Sequence, residues 1–204
     1  FLVIATFGFE NIEIREEAKA NEQKDTILGT VFILRLLLSF VTIGIISVVA
    51  YINETDLYTY GIIMIYAITV ILSPFDVIRN YFTSLVQNEY IVKVGIFRAV
   101  LSGTIKIVLL LVHASLLWFV ISLVFDACVL AQGSCYVYKK KSGSMRSWHF
   151  DKVWARYLLR QSFPLLLSGV AATIFLQTDQ IMIGNLIVNT SVGHFLIAPI
   201  FVEG

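Results

Sequence analysis

The sequence predicts an all-α fold, a polytopic bundle of transmembrane helices, and three observations carry that prediction. Hydrophobic residues make up 58% of the 204 residues and charged ones 14%, with a mean hydropathy of +0.83, whereas a soluble domain carries about 25% charged residues. Apolar stretches long enough to cross a bilayer, roughly 20 residues each, recur along the whole chain. None alternates with period two, and each is longer than the roughly ten residues of a barrel strand. Helices are therefore the spanning structure that fits.

The elements follow in order. Residues 1–9 read as the tail of one span, 27–52 as a second, 57–79 as a third, 90–113 as a fourth, 115–138 as a fifth and 158–187 as a long sixth, and a seventh begins at Val192. Pro74 removes a backbone donor and is expected to kink the third span. Lys and Arg accumulate in cytoplasmic loops. Residues 139–156 hold Lys139, Lys140, Lys141, Arg146, Lys152 and Arg156, and Arg15, Lys19 and Lys24 follow Phe9, while 53–56 and 185–191 contain no basic residue. Loops near 10–25, 80–90 and 139–157 are thereby assigned to the cytoplasm, and Trp148 and Trp154 suit interfacial anchoring. The chain opens at Phe1 without a methionine or charged n-region, so no signal peptide is read, and it stops at Gly204 inside another apolar stretch. Both ends read as cuts, and the complete protein is expected to be longer.

The informative residues are polar ones inside apolar spans, because a charge near the midplane costs about 2.5 to 3.5 kcal/mol on insertion scales and must face protein or water. Arg35, Ser39 and Thr42 fall at i, i+4 and i+7, which is one helix face. Thr69, Ser73, Asp76 and Asn80 obey the same rule, and Asp76 and Arg79 stand three apart, within pairing reach. Arg98, Ser102 and Lys106 step by four, which puts two cations about 12 Å apart on one stripe. Asp126 lies four after Ser122, and Gly169, Thr173, Gln177 and Gln180 line up with Asp179 beside them. Coherent polar faces on five spans predict a solvated cavity enclosed by the bundle. The cations Arg35, Arg98 and Lys106 favour an anion there, Arg through bidentate donors and Lys as a mobile point charge. Ser39, Thr42, Ser102, Thr173 and Gln177 are its candidate polar lining.

Nothing in the chain has the pattern of catalysis or of a resident cofactor. His113, His149 and His194 are scattered, and no Ser/His/Asp set, HExxH or metal-ligand spacing occurs. Cys128 and Cys135 lack the partners that a zinc or disulfide framework needs and are expected to be packing residues. A net charge of +1 singles out no partner, and no Gly-rich phosphate loop is present.

At Ser162-Phe-Pro-Leu-Leu-Leu-Ser-Gly-Val170, then Gln177-Thr-Asp-Gln-Ile-Met-Ile-Gly184 and Val192-Gly193-His194-Phe195, the sequence resembles O-antigen and polysaccharide flippases of the Wzx type. These belong to the multidrug/oligosaccharidyl-lipid/polysaccharide exporter superfamily. Gly8-Phe9, Ile14-Arg15-Glu16, Ile27-Leu28-Gly29 and Leu34-Arg35-Leu36 look like the same family's second and third helices. The resemblance implies two six-helix lobes around a central cavity with alternating access, and an undecaprenyl-diphosphate-linked oligosaccharide as substrate. On that map residues 1–138 form helices two to six of the N-terminal lobe, 139–156 the cytoplasmic link between lobes, and 157–204 helix seven with part of helix eight. The resemblance also implies a multi-pass protein of a bacterial or archaeal cytoplasmic membrane. Its expected partners are the lipid-linked oligosaccharide, membrane lipids, a polysaccharide polymerase and other assembly proteins, with no nucleic acid. Asp76, Asp126 and Asp179 would repel a diphosphate, so they either pair with the cations or bind a coupling proton or Na⁺. An ion-coupled multidrug antiporter of the same superfamily is the alternative, and a membrane-embedded polymerase or glycosyltransferase a more distant one.

Overall fold

The computed structural model describes residues 8–19, 23–53 and 56–186, with side chains described as far as residue 175. The described residues are helical apart from short connections. A short helix α1 (Phe9–Lys19) is followed by α2 (Lys24–Ile52), α3 (Leu57–Leu72), a 3₁₀ turn (Ser73–Phe75), α4 (Asp76–Ser84), α5 (Glu89–Leu111), α6 (Leu116–Lys141), a second 3₁₀ turn (Met145–Ser147) and α7 (Lys152–Leu186). Five helical stretches are long and apolar enough to cross a membrane: α2, the α3–α4 path from Leu57 to Ser84, α5, α6 and α7. They match the spans expected from hydropathy to within a few residues. The expected kink is present, since Pro74 sits in the 3₁₀ turn that separates α3 from α4.

The segment expected as a loop near 10–25 is instead the helix α1, which at 11 residues is about 16 Å long, too short to cross a bilayer. Its Phe9 and Ile12 are buried among Ile27, Leu28, Val31, Val77, Ile78 and Phe82, so α1 wedges between α4, α2 and α7. Burial of this apolar edge, at about 25 cal/mol per Å², outweighs the polarity that made the segment read as a loop.

The core lies at the basic end of the bundle. Phe32, Phe75, Tyr81, Tyr138 and Trp148 make edge-on ring contacts with centroids 5.3 to 5.6 Å apart. The connection after α6 is pinned to this core. His149 N–H donates to Asp25 O at 3.2 Å, Asp151 N–H to Thr30 Oγ1 at 3.1 Å, and Lys24 Nζ to Ser142 O at 3.3 Å. Trp148 Nε1 donates to Tyr138 OH and Trp154 Nε1 to Gln23 Oε1. Both tryptophans thus tie this end of the bundle together. Asp151 then caps α7, its Oδ1 accepting from the N–H groups of Val153 and Trp154 at 2.7 and 3.0 Å, as an N-cap carboxylate does.

Away from that end the helices bury little. Leu37, Phe40, Ile96, Phe97, Ile107 and Leu111 are all more than half exposed, as surfaces that meet hydrocarbon or further helices are.

Candidate functional site

The polar stripe of α2 is sealed inside the bundle. Arg35 is 1% exposed, and its Nη2 lies 2.7 Å from Oε2 of Glu13 on α1, whose side chain is fully buried. Asn80 Nδ2 on α4 donates to the same oxygen at 2.9 Å. Ser39 Oγ lies 2.8 Å from Arg35 O and 2.9 Å from Val70 O on α3, and Thr42 Oγ1 donates to Leu38 O at 2.8 Å. Arg35 and Ser39 therefore join helices, Thr42 bonds within its own helix, and all three side chains are buried in this conformation. Taking the two ions out of water is repaid only by close pairing and further hydrogen bonds, and the 2.7 Å contact with Asn80 behind it supplies both.

Glu17, one turn after Glu13, is 3% exposed, and neither of its carboxyl oxygens has a hydrogen-bond partner among the described residues. Burial, reinforced by the charge of Glu13, pushes its pKa from an ordinary value of 4.5 up to about 10. Burial likewise raises Glu13 to about 7, against the pull of Arg35 and the Asn80 hydrogen bond. One arginine faces two carboxyls, so the cluster is stable with Glu17 protonated.

The second polar region is the seam between α5 and α6. Arg98 Nε lies 3.6 Å from Asp126 Oδ1, with side-chain exposures of 37% and 18%. The two residues sit near the middle of their helices, so the pair lies well inside the apolar layer. Both atoms lack a hydrogen bond among the described residues, and the separation exceeds hydrogen-bond range. Ser102, one turn beyond Arg98, is buried with its Oγ unpaired, and Lys106 is half-buried with no ion-pair partner among the described residues. This arrangement can accept an anion: a guanidinium held loosely by one carboxylate, an unpaired hydroxyl and a second cation, all on one face of α5.

Of the remaining candidates, Asp76 lies within electrostatic reach of both Arg35 and Arg98. Asp76 pairs with Arg79 at 4.0 Å, and Arg79 also reaches Glu10 at 3.4 Å, on the α1 side of the bundle. Thr173 Oγ1 donates to Gly169 O at 2.8 Å within α7. Gln177 and Asp179 lie on α7, outside the described side chains. The structure brings together Arg98 and Asp126, with Ser102 and Lys106 along the same helix face. Glu13 and Glu17 were missed by sequence reasoning: an arginine deep in a span calls for a carboxylate, but Glu22 and Asp25 are nearer to Arg35 in sequence than Glu13 or Glu17, so spacing did not point to them.

Residues 1–199 match the family described as polysaccharide biosynthesis protein. The chain belongs to that family. No curated protein and no solved structure matches it. Membership in the polysaccharide biosynthesis family agrees with an all-helical, multi-pass membrane bundle.

Proposed function

We propose that this protein is a flippase, not an enzyme: it moves an undecaprenyl-diphosphate-linked oligosaccharide across the cytoplasmic membrane by alternating access, for O-antigen, capsule or exopolysaccharide synthesis. The observation that carries the reading is the loose Arg98–Asp126 pair with Lys106 two turns further along α5. A tight, sealed pair would serve architecture; a loose, partly exposed one inside an apolar layer costs free energy and is kept for a ligand. In this reading Asp126 holds Arg98 until a diphosphate replaces it, and Lys106 follows the charge as the lobes rock. The sequence match to a polysaccharide biosynthesis family supports the substrate class. The basic end that gathers Lys24, Lys141 and Lys152 faces the cytoplasm, and residues 139–156 link two lobes. A polysaccharide polymerase and other assembly proteins are the partners on the far side.

The antiporter reading draws on a different observation, the buried carboxyls Glu13 and Glu17. One assay separates the two: leaflet accessibility of a fluorescent undecaprenyl-diphosphate oligosaccharide in proteoliposomes of the full-length protein. The flippase reading expects translocation that Arg98→Ala with Lys106→Ala abolishes while the variant stays folded. No lipid movement under any ion gradient, with cationic drugs transported instead, favours the antiporter.

A further inference from the structure

A groove of about 770 Å³ lies between α5 and α6 at the basic end of the bundle. Phe97 and Val129 contribute to its apolar wall, and Lys93, Lys140 and Lys141 stand around it beside Tyr90. The helices meet closely along this seam, since a Cβ added to Gly133 would fall 2.5 Å from Val94 Cγ1. No carboxylate lines the groove. Lys93 shares its charge with Glu89 at 3.9 Å, and the Lys141 ammonium sits 4.6 Å from the centre of the Tyr90 ring. Neither Lys140 nor Lys141 has an acidic partner among the described residues.

The two halves of this lining demand different things. The lysines call for an anion, and Phe97, four residues beyond Lys93 on the same helix face and so about 6 Å deeper, calls for hydrocarbon. A free phosphate or nucleotide would leave the apolar wall wet, and a neutral lipid would leave three ammonium groups without a counter-charge. A molecule with an anionic head and an apolar tail in that order satisfies both, and cytoplasmic-leaflet lipids attract basic residues placed at this depth.

We infer that the α5/α6 groove binds one anionic glycerophospholipid of the cytoplasmic leaflet, with its phosphate among Lys93, Lys140 and Lys141 and an acyl chain along Phe97 and Val129. The site lies on the same seam as Arg98 and Asp126 but nearer the membrane surface, and it does not depend on what the protein transports. It rests only on the basic end facing the cytoplasm.

The test is native mass spectrometry of the full-length protein, delipidated in detergent and titrated with phosphatidylglycerol or phosphatidylcholine. One phosphatidylglycerol is expected to bind in preference to phosphatidylcholine. Lys140→Gln with Lys141→Gln should weaken it about 25-fold, roughly fivefold per lysine. Val129→Trp, which fills the apolar wall and keeps every charge, should abolish it. Lys139→Gln, which removes a lysine that does not line the groove, should leave it intact. Equal binding of the two phospholipids, equal loss in Lys139→Gln, or full retention in Val129→Trp would each overturn the site in favour of diffuse surface attraction. Displacement of phosphatidylglycerol by equimolar undecaprenyl phosphate would overturn the phospholipid assignment and make the groove part of the substrate path. A failed flipping assay touches none of these readouts.

Discussion

Arg35 and Arg98 each lie deep in an apolar helix, and each faces a carboxylate on a neighbouring helix, yet the two pairs are built oppositely. Arg35 meets Glu13 at 2.7 Å with 1% of its side chain exposed, and Asn80 satisfies the same carboxylate oxygen. Arg98 stands 3.6 Å from Asp126 with 37% of its side chain exposed. The first is a joint: it fastens α1 to α2 and α4, and no ligand reaches it without unpacking the bundle. The second is the site in the flippase proposal: its partner is loosely held, at 3.6 Å and without a hydrogen bond between the two atoms. Burial and the closeness of the pair, more than the presence of a charge in a span, set the two apart.

The largest effect should come from breaking the joint. Arg35→Met leaves Glu13 buried without its counter-ion, a change worth about 3–5 kcal/mol, and detergent-solubilised protein should melt well below the native or fail to express. Adding Glu13→Gln should recover much of that loss, since the uncompensated charge is gone. Arg98→Ala also leaves a carboxylate without its cation, but Asp126 keeps 18% exposure where Glu13 keeps none, so the melt should shift less than in Arg35→Met while lipid translocation stops. Should Arg35→Met melt like the native protein, or Arg98→Ala unfold, the contrast between joint and site collapses.

The spans were legible because length and hydropathy suffice to mark them, and Pro74 marked the break between α3 and α4. The Asp76–Arg79 pair was legible too, because three-residue spacing on one helix is local information. The Arg98–Asp126 pair required the register of the α5–α6 hairpin, which the short connection at 112–115 constrains but polar spacing alone does not. The Arg35–Glu13 joint was not read. Segment 9–19 carries three buried glutamates, at 13, 16 and 17, and such a charge run normally marks a solvated face. Its burial is a tertiary effect, compensated by an arginine on a different helix. The α2 stripe was read as facing a cavity and is buried against neighbouring helices, because a polar stripe looks the same from the sequence whether it faces water or a neighbouring helix.

Gly29 sharpens the comparison on the sealed side. A Cβ there would lie 2.6 Å from His149 O and 2.7 Å from His149 N, and those backbone atoms are held by the His149–Asp25 and Asp151–Thr30 hydrogen bonds. Gly29→Ala should therefore lower stability by about 3 kcal/mol, the upper end for overpacking, and expose the connection at 142–151 to limited proteolysis. An alanine variant that resists the protease like the native protein would show that this connection is free to move.

Glu17 tests the sealed cluster through pH. Its carboxyl has an ordinary pKa of 4.5 and a folded value of about 10, so folding takes up a proton throughout that window. Below pH 4.5 both states hold the proton and no penalty exists; as pH rises toward 10 the folded state loses stability relative to the unfolded chain. Glu17→Gln keeps the shape without the acid and should stabilise the protein by about 2 kcal/mol near neutral pH. The gain should shrink toward zero as pH is lowered to 4.5. A gain independent of pH would place the benefit in packing and not in the proton.

The smallest expected effect lies on the open side. Gly133 is as crowded as Gly29, with a virtual Cβ 2.5 Å from Val94 Cγ1, but the obstacle is a side-chain methyl on a half-buried residue rather than anchored backbone. Valine changes rotamer at a cost of about 1 kcal/mol, so Gly133→Ala should move the melting temperature by only a few degrees. Its functional consequence should exceed its structural one, because α5 and α6 would be pried apart beside Arg98 and Asp126, and translocation should fall more than stability does. If Gly133→Ala instead destabilises as strongly as Gly29→Ala, the α5/α6 seam is as rigid as the core, and an open, exchangeable ion pair within it loses its physical basis.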